Sequence, residues 1–237
     1  MKTRPLPDTD LARIAPLPTD QKRNALEALH LGRPPYRYTP VRASFSDILN
    51  LEAGMFDPGR VPFDKIKAEI RKKSWNDQEE AANVRVAEGL YDFVTAHKLR
   101  GRRHDFSPFA IGVGASVVYW HSAILLVDGQ PLIPFFDPRR SKLLTSLGRQ
   151  FAFSMMHQRI REGSPDFEEV RFGIFQFEKT AKGPRPPQLH TDLGVKLFSL
   201  DQLERMVAET YKIWREVCEG REAEMRRRGG GGGGTLL

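Results

Sequence analysis

The chain has 237 residues, 40% of them hydrophobic and 28% charged, a globular mixture that excludes a disordered or fibrous protein. A single cysteine, Cys218, excludes an intrachain disulfide and suits a reducing compartment. The net charge of +7 admits nucleic acid, an anionic membrane or an acidic partner without requiring any of them, and no stretch reaches the roughly 20 apolar residues of a membrane span.

Residues 1–43 hold seven of the 17 prolines. Proline fixes φ and removes a donor, so this segment is expected to be an extended N-terminal arm rather than a long helix or a central strand. A short amphipathic helix fits Thr19–Leu29, with Leu26 and Leu29 on one side, and Arg33-Pro34-Pro35-Tyr36 suits polyproline geometry. Such an arm is expected along its own domain, with docking of a partner as the alternative. The first residues lack the apolar run of a secretory signal, so the cytoplasm is the expected location.

A short helix is expected from Ser46 to Ala53, stopped at Gly54, then a loop from Phe56 to Pro62. A helix follows over Phe63–Lys73, with Phe63, Ile66 and Ile70 inward and its lysines and arginines on a solvated face. Asp77 and Glu80 have the spacing of a capping box. Ala81, Val84, Ala87, Leu90, Tyr91 and Val94 continue that helix to about His97. Lys98 to His104, with Gly101 among cations, reads as its C-terminus.

The period then changes. Phe109–Val113, Ser116–Trp120, Ser122–Val127 and Pro131–Asp137 are short runs of strand formers. Asp128-Gly129 is a type I′ hairpin dipeptide, so an antiparallel meander over 116–137 is expected. The continuously apolar Ser122–Val127 is expected to be its central, two-sided strand. Thr145 caps a second long helix to about Glu162, Val170–Phe177 is a strand, and Lys179–Gln188 is a loop. Val195–Phe198 is expected to be a short strand. Ser199 with Gln202 opens a helix to about Glu219, and the Arg226-Arg227-Arg228 and glycine run reads as a disordered tail. The expectation is one α+β domain over 44–219, a mixed sheet flanked by helices, with the arm before it and the tail, 220–237, after it.

Several chemistries have no carrier. No glycine-rich loop is followed by the lysine that cradles phosphates, and Gly112-Val113-Gly114 lies among strands rather than at a helix start. No cysteine pair or helical histidine pair offers a zinc site. Cys218 reads as a small packed side chain rather than a nucleophile.

The order of helix 77–97, three strands over 116–137, helix 145–162 and strand 170–177 resembles the αβββαβ core of the PD-(D/E)XK nuclease superfamily. The resemblance covers about residues 77–177. In the third strand Asp137-Pro138-Arg139 stands where that family has acid-x-lysine, and His121-Ser122 stands where it has its first acid. The resemblance implies Asp137 as a metal-binding acid and Mg2+ as the cofactor, with Arg139 in the place of the lysine. It also implies Glu80 or Glu88 as the helix glutamate and Gln150 as the glutamine of the following helix. The plain alternative is that Asp137 merely ends a strand before Pro138 and that His121 is a packed histidine beside Trp120.

Arg139, Arg140, Lys142 and Arg149 cluster after the third strand, and Arg102 and Arg103 precede the sheet. Under that resemblance these cations would hold DNA or RNA phosphates. The main expectation is therefore a nucleic-acid-binding protein with a degenerate or divergent metal-dependent nuclease core. The alternative is a non-enzymatic protein–protein interaction module or regulatory subunit, which needs an exposed apolar patch instead of converging acids.

Overall fold

The computed structural model describes residues 5–29, 37–52, 59–111 and 115–229. Four short helices come first: α1 Asp8–Ile14, α2 Thr19–Glu27, α3 Thr39–Arg42 and α4 Phe45–Ile48. They lead to strand β1 Leu51–Glu52, α5 Phe63–Lys73 and α6 Asp77–Ala96. Strands β2 Arg100–Arg103, β3 Phe109–Ile111, β4 Ala115–Val117, β5 Ala123–Val127 and β6 Gln130–Asp137 follow. The chain finishes with α7 Ser146–Met156, extended by a π-helical turn His157–Arg161, then β7 Arg171–Phe177, β8 Pro187–Thr191 and α8 Leu200–Gly229.

Six strands form one mixed sheet in the order β1-β2-β5-β6-β7-β8. β6 and β7 run parallel, joined by the α7 crossover, and the pairs β2–β5, β5–β6 and β7–β8 are antiparallel. The architecture is thus the expected α+β domain, a mixed sheet between layers of helix. Alternation along the two central strands explains their unbroken apolar sequence. Ile133, Phe135, Phe172 and Ile174 pack with α1, α2, α7 and α8 on one face. Leu132, Phe136, Phe175 and Phe177 pack with α4, α5 and α6 on the other.

The hairpin turn and two of the three expected caps hold. Asp128 and Gly129 take φ of 49° and 78° in the β5–β6 turn. Thr145 accepts the Gly148 N–H, and Ser199 and Gln202 cap each other reciprocally. The α6 cap is one residue earlier than expected: Asn76 accepts the Glu79 N–H at 2.8 Å, and Glu79 reaches back to the Trp75 N–H at 2.9 Å. The buried stripe turns with it, through Asn83, Val86, Ala87, Leu90 and Val94, and leaves Ala81 exposed.

Other expectations change. Much of the segment read as an extended arm is helical. Pro7 and Pro18 each stand immediately before a first helical turn, where a missing N–H costs nothing. Leu6, Leu11, Ala12, Ile14 and Leu26 are buried in the main core. The meander is divided: β3 and β4 pair only with each other, and β5 takes β2 as its second neighbour. β2 is the segment expected as a helix C-terminus. His97 caps α6, Lys98 turns the chain at φ 48°, and Arg100–Arg103 enter the sheet. β5 is covered on one face, while on the other Ile124 is half-buried against the main core and Leu126 is 48% exposed, so the strands buried on both faces are β6 and β7. The expected Ser46–Ala53 helix is α4 followed by β1, while Val195–Phe198 is not a strand and Pro187–Thr191 is. α8 continues past Glu219 to Gly229. Arg33–Tyr36, Gly54, Gly112–Gly114 and the glycine run from Gly230 lie outside the described residues.

Candidate functional site

β6 delivers Asp137 to the end of the sheet with no solvent exposure. Arg139, two residues on, folds back and donates from Nε at 2.6 Å and Nη2 at 3.0 Å to its two carboxylate oxygens. The Leu144 N–H donates at 3.2 Å and Gln176 Nε2 lies at 3.5 Å. The carboxylate therefore closes the 137–144 turn against β7. Its oxygens face a guanidinium fork, the donor geometry that matches a carboxylate best.

Arg185 secures the same turn from behind. It is 3% exposed and donates to the carbonyls of Glu178, Pro138, Arg139 and Phe177 at 2.8–3.0 Å, and to the Tyr38 hydroxyl at 3.2 Å. Its own N–H donates to the Arg85 carbonyl of α6 at 2.9 Å. That approach needs Gly89, since a Cβ there would lie 1.9 Å from the Arg185 carbonyl oxygen.

The segment before α3 is held by α6. Glu79 accepts the Arg37 N–H at 2.8 Å, while Asn83 donates to the Arg37 carbonyl at 2.7 Å and accepts the Val41 N–H at 3.0 Å. Both side chains are fully buried. Asp10 of α1 accepts from Arg13 at 3.2 Å and from Arg139 at 3.4 Å. The start of α1, residues 37–42 and the 138–142 turn thus enclose a pocket of about 450 Å³. Arg37, Arg42, Arg139, Arg140 and Lys142 line it, against one lining carboxylate, Asp10.

Burial shapes the charges behind this pocket. It lifts the Asp8 carboxyl to about 6, although the Val118 backbone and Arg42 pull the other way. It lowers the pKa of Arg42, which Asp137 and Asp8 partly restore. His121 is held down to about 4 by burial, helped by Arg103 and Arg42. Its ring packs edge-on to Phe45 and Phe136, and its Nε2 has no hydrogen-bond partner. A neutral imidazole in an aromatic slot is a packing residue.

The remaining expected site residues disperse. Glu80 pairs with Arg71 of α5 at 3.7 Å, and Glu88 lies two turns further along α6. Gln150 donates to the Lys196 carbonyl at 2.6 Å. Arg149 reaches inward to the Leu144 carbonyl and Gln176 Oε1. Arg102 and Arg103 lie on β2, and Arg102 lines a shallow groove with Ile124, Leu126 and Pro131 rather than the pocket. Among the described residues no three acidic, histidine or cysteine side chains gather as ligands. The donor set does not suit Mg2+, because the one acid at the motif position already serves an arginine. Sequence reading missed Arg37, Arg42 and Asp10, all in the proline-rich arm. Nothing local marks them, since tertiary packing brings them to the pocket.

Residues 9–224 match the family described as sliding clamp-binding bacterial toxin SocB. A DNA replication inhibitor toxin SocB from Caulobacter vibrioides (strain NA1000 / CB15N) is 35% identical over 227 residues, covering 96% of this chain and 95% of its own. No solved structure matches. These matches overturn the resemblance to PD-(D/E)XK nucleases and the nucleic-acid-binding reading built on it. The geometry gives the physical reason: Asp137 and Arg139 are partners of one another, and Glu80 and Gln150 are engaged elsewhere.

Proposed function

Since the chain belongs to the sliding clamp-binding bacterial toxin family, we propose that it is a non-enzymatic inhibitor of DNA replication that binds the bacterial sliding clamp. The observation that carries this reading is the extent of the match, which runs from α1 into α8 and so takes in both cores and every layer of the fold. A clamp-binding inhibitor works by occupying its partner, so it needs a stable body and a contact surface rather than a poised acid, and it requires no metal. The locked Asp137–Arg139 pair is compatible with that role. Apolar anchors for a partner are present: Leu126, Leu193 and Met225 are 48%, 69% and 62% exposed. No helix among the described residues is long and apolar enough to cross a membrane, and the proposed site of action is the cytoplasm.

The test combines purified chain with a purified bacterial sliding clamp. Saturable binding is expected, together with inhibition of clamp-dependent primer extension that added clamp relieves. Substituting glutamate singly at Leu126, Leu193 and Met225 would show which face docks. Absence of clamp binding, or inhibition that added clamp leaves unchanged, would refute the proposal.

A further inference from the structure

We propose that the pocket between α1, α3 and the 138–142 turn binds a small anion carrying two or more phosphate groups. This goes beyond clamp binding and does not rest on it. Of the five cations that line the pocket, Arg139 is neutralised by Asp137 and Asp10, and Arg37 lies beside Glu79 and over the Trp75 ring. Arg42, Arg140 and Lys142 have no acidic partner within salt-bridge distance among the described residues. Arg42 reaches the pocket from α3 with its side chain open to solvent, and Asp137 and Asp8 act on it only at longer range. A bound anion would give these three cations the charge-assisted partner that the described residues do not supply.

Two features select the ligand class. Thr9, Thr39 and Ser141, each carrying a hydroxyl, line the same pocket as the three cations that have no acidic partner among the described residues. That is more donors than the two oxygens of a single carboxylate use, and it suits the several oxygens of linked phosphates. The site is also concave. Its volume of about 450 Å³ falls in the range of small-molecule pockets, whereas a duplex is followed along its backbone by an extended surface. The walls are fixed by buried bonds, with Arg185 and Asp137 setting one side and Glu79 and Asn83 the other. The cations are therefore presented on ordered backbone rather than on a loose surface.

The probe is inorganic pyrophosphate, titrated calorimetrically into the full chain, with orthophosphate, citrate and a short DNA duplex as parallel arms. Pyrophosphate is expected to bind at one site and more tightly than orthophosphate or citrate. Arg42→Gln should weaken it by about tenfold or more, as should Arg140→Ala combined with Lys142→Ala. Arg102→Ala, outside the pocket, should leave it unchanged. Circular dichroism and thermal melts establish that each variant is folded. Since Arg140 and Lys142 lie at the rim, their double variant remains decisive if Arg42→Gln fails to fold. No binding at millimolar pyrophosphate overturns the proposal, as does binding that survives both pocket variants. Citrate binding as tightly as pyrophosphate overturns the phosphate assignment. Pocket-dependent binding of the duplex without pyrophosphate binding overturns the small-ligand assignment.

Discussion

The turn that follows β6 has two sides that use the same residue types in opposite ways. On the inner side Asp137, Arg139, Gln176, Arg149 and Arg185 bond to one another or to backbone carbonyls. On the outer side Arg140 and Lys142, within a few residues, and Arg42, brought in by α3, line a pocket with no acidic partner among the described residues. A cluster of charges in sequence is thus divided by burial. Side chains that lose water must find partners inside the protein, while those left at a rim keep their charge available to a ligand.

The sharpest way to break the inner side is Asp137→Ala. It removes a carboxylate with no solvent exposure and leaves Arg139, the Leu144 N–H and Gln176 short of an acceptor. A loss of about 3–4 kcal/mol in urea unfolding is expected. A loss below about 1 kcal/mol would mean that the turn is held by Arg185 alone. Gly89→Ala should follow, at about 2–3 kcal/mol, because its Cβ meets backbone that cannot rotate away. Both changes act through the inner side, and both should lower the melting temperature.

A smaller effect probes the boundary between the two sides, where Asp8 and His121 carry opposite pH dependences. Asp8 has its folded pKa raised from 3.8 to about 6, so its contribution is lost as pH rises through that interval. His121 has its folded pKa lowered from 6.5 to about 4, so its contribution is lost as pH falls through that interval. Between about pH 4 and 6 the two slopes oppose, and the pair together should leave stability nearly flat there. Asp8→Asn should expose the histidine slope, with stability rising by about 1–2 kcal/mol as pH increases across the window. His121→Leu should expose the opposite slope. Equal slopes in both variants would exclude this assignment.

The smallest effect belongs to the outer side. Arg140→Ala and Lys142→Ala should each change folding stability by less than about 0.5 kcal/mol, since both are exposed and neither has an acidic partner among the described residues. A cost comparable to that of Asp137→Ala would show that the rim is structural too.

Much of the architecture was legible because its signals are local. The Asp128-Gly129 turn, the Thr145 cap, the Ser199–Gln202 box and the bounds of α5 each follow from a few adjacent residues whose chemistry permits few backbone solutions. The central strands were legible as apolar runs. Their neighbours were not, because pairing is decided by contacts between distant segments. Gly101 shows this well. Among cations after a long helix it reads as a C-terminal cap, yet it lies in β2, where a Cβ would fall within 3 Å of Leu125 and Leu51 side chains.

The candidate site was legible in part. Asp137 and Arg139 stand together at a strand end, as their spacing indicates, but two residues apart in sequence says nothing of whether a carboxylate awaits a metal or already holds its neighbour. Arg140 and Lys142 were legible as cations, while Arg42 and Asp10 sit in a segment whose prolines argued for an arm. The capped helices, the hairpin, the apolar central strands and the excess of positive charge are written in the residues themselves, because each depends on nearest neighbours or on composition. The strand order, the folding of the N-terminal segment into the core, and which charges are consumed and which stand open emerge only on folding. Those outcomes depend on which distant surfaces exclude water from one another.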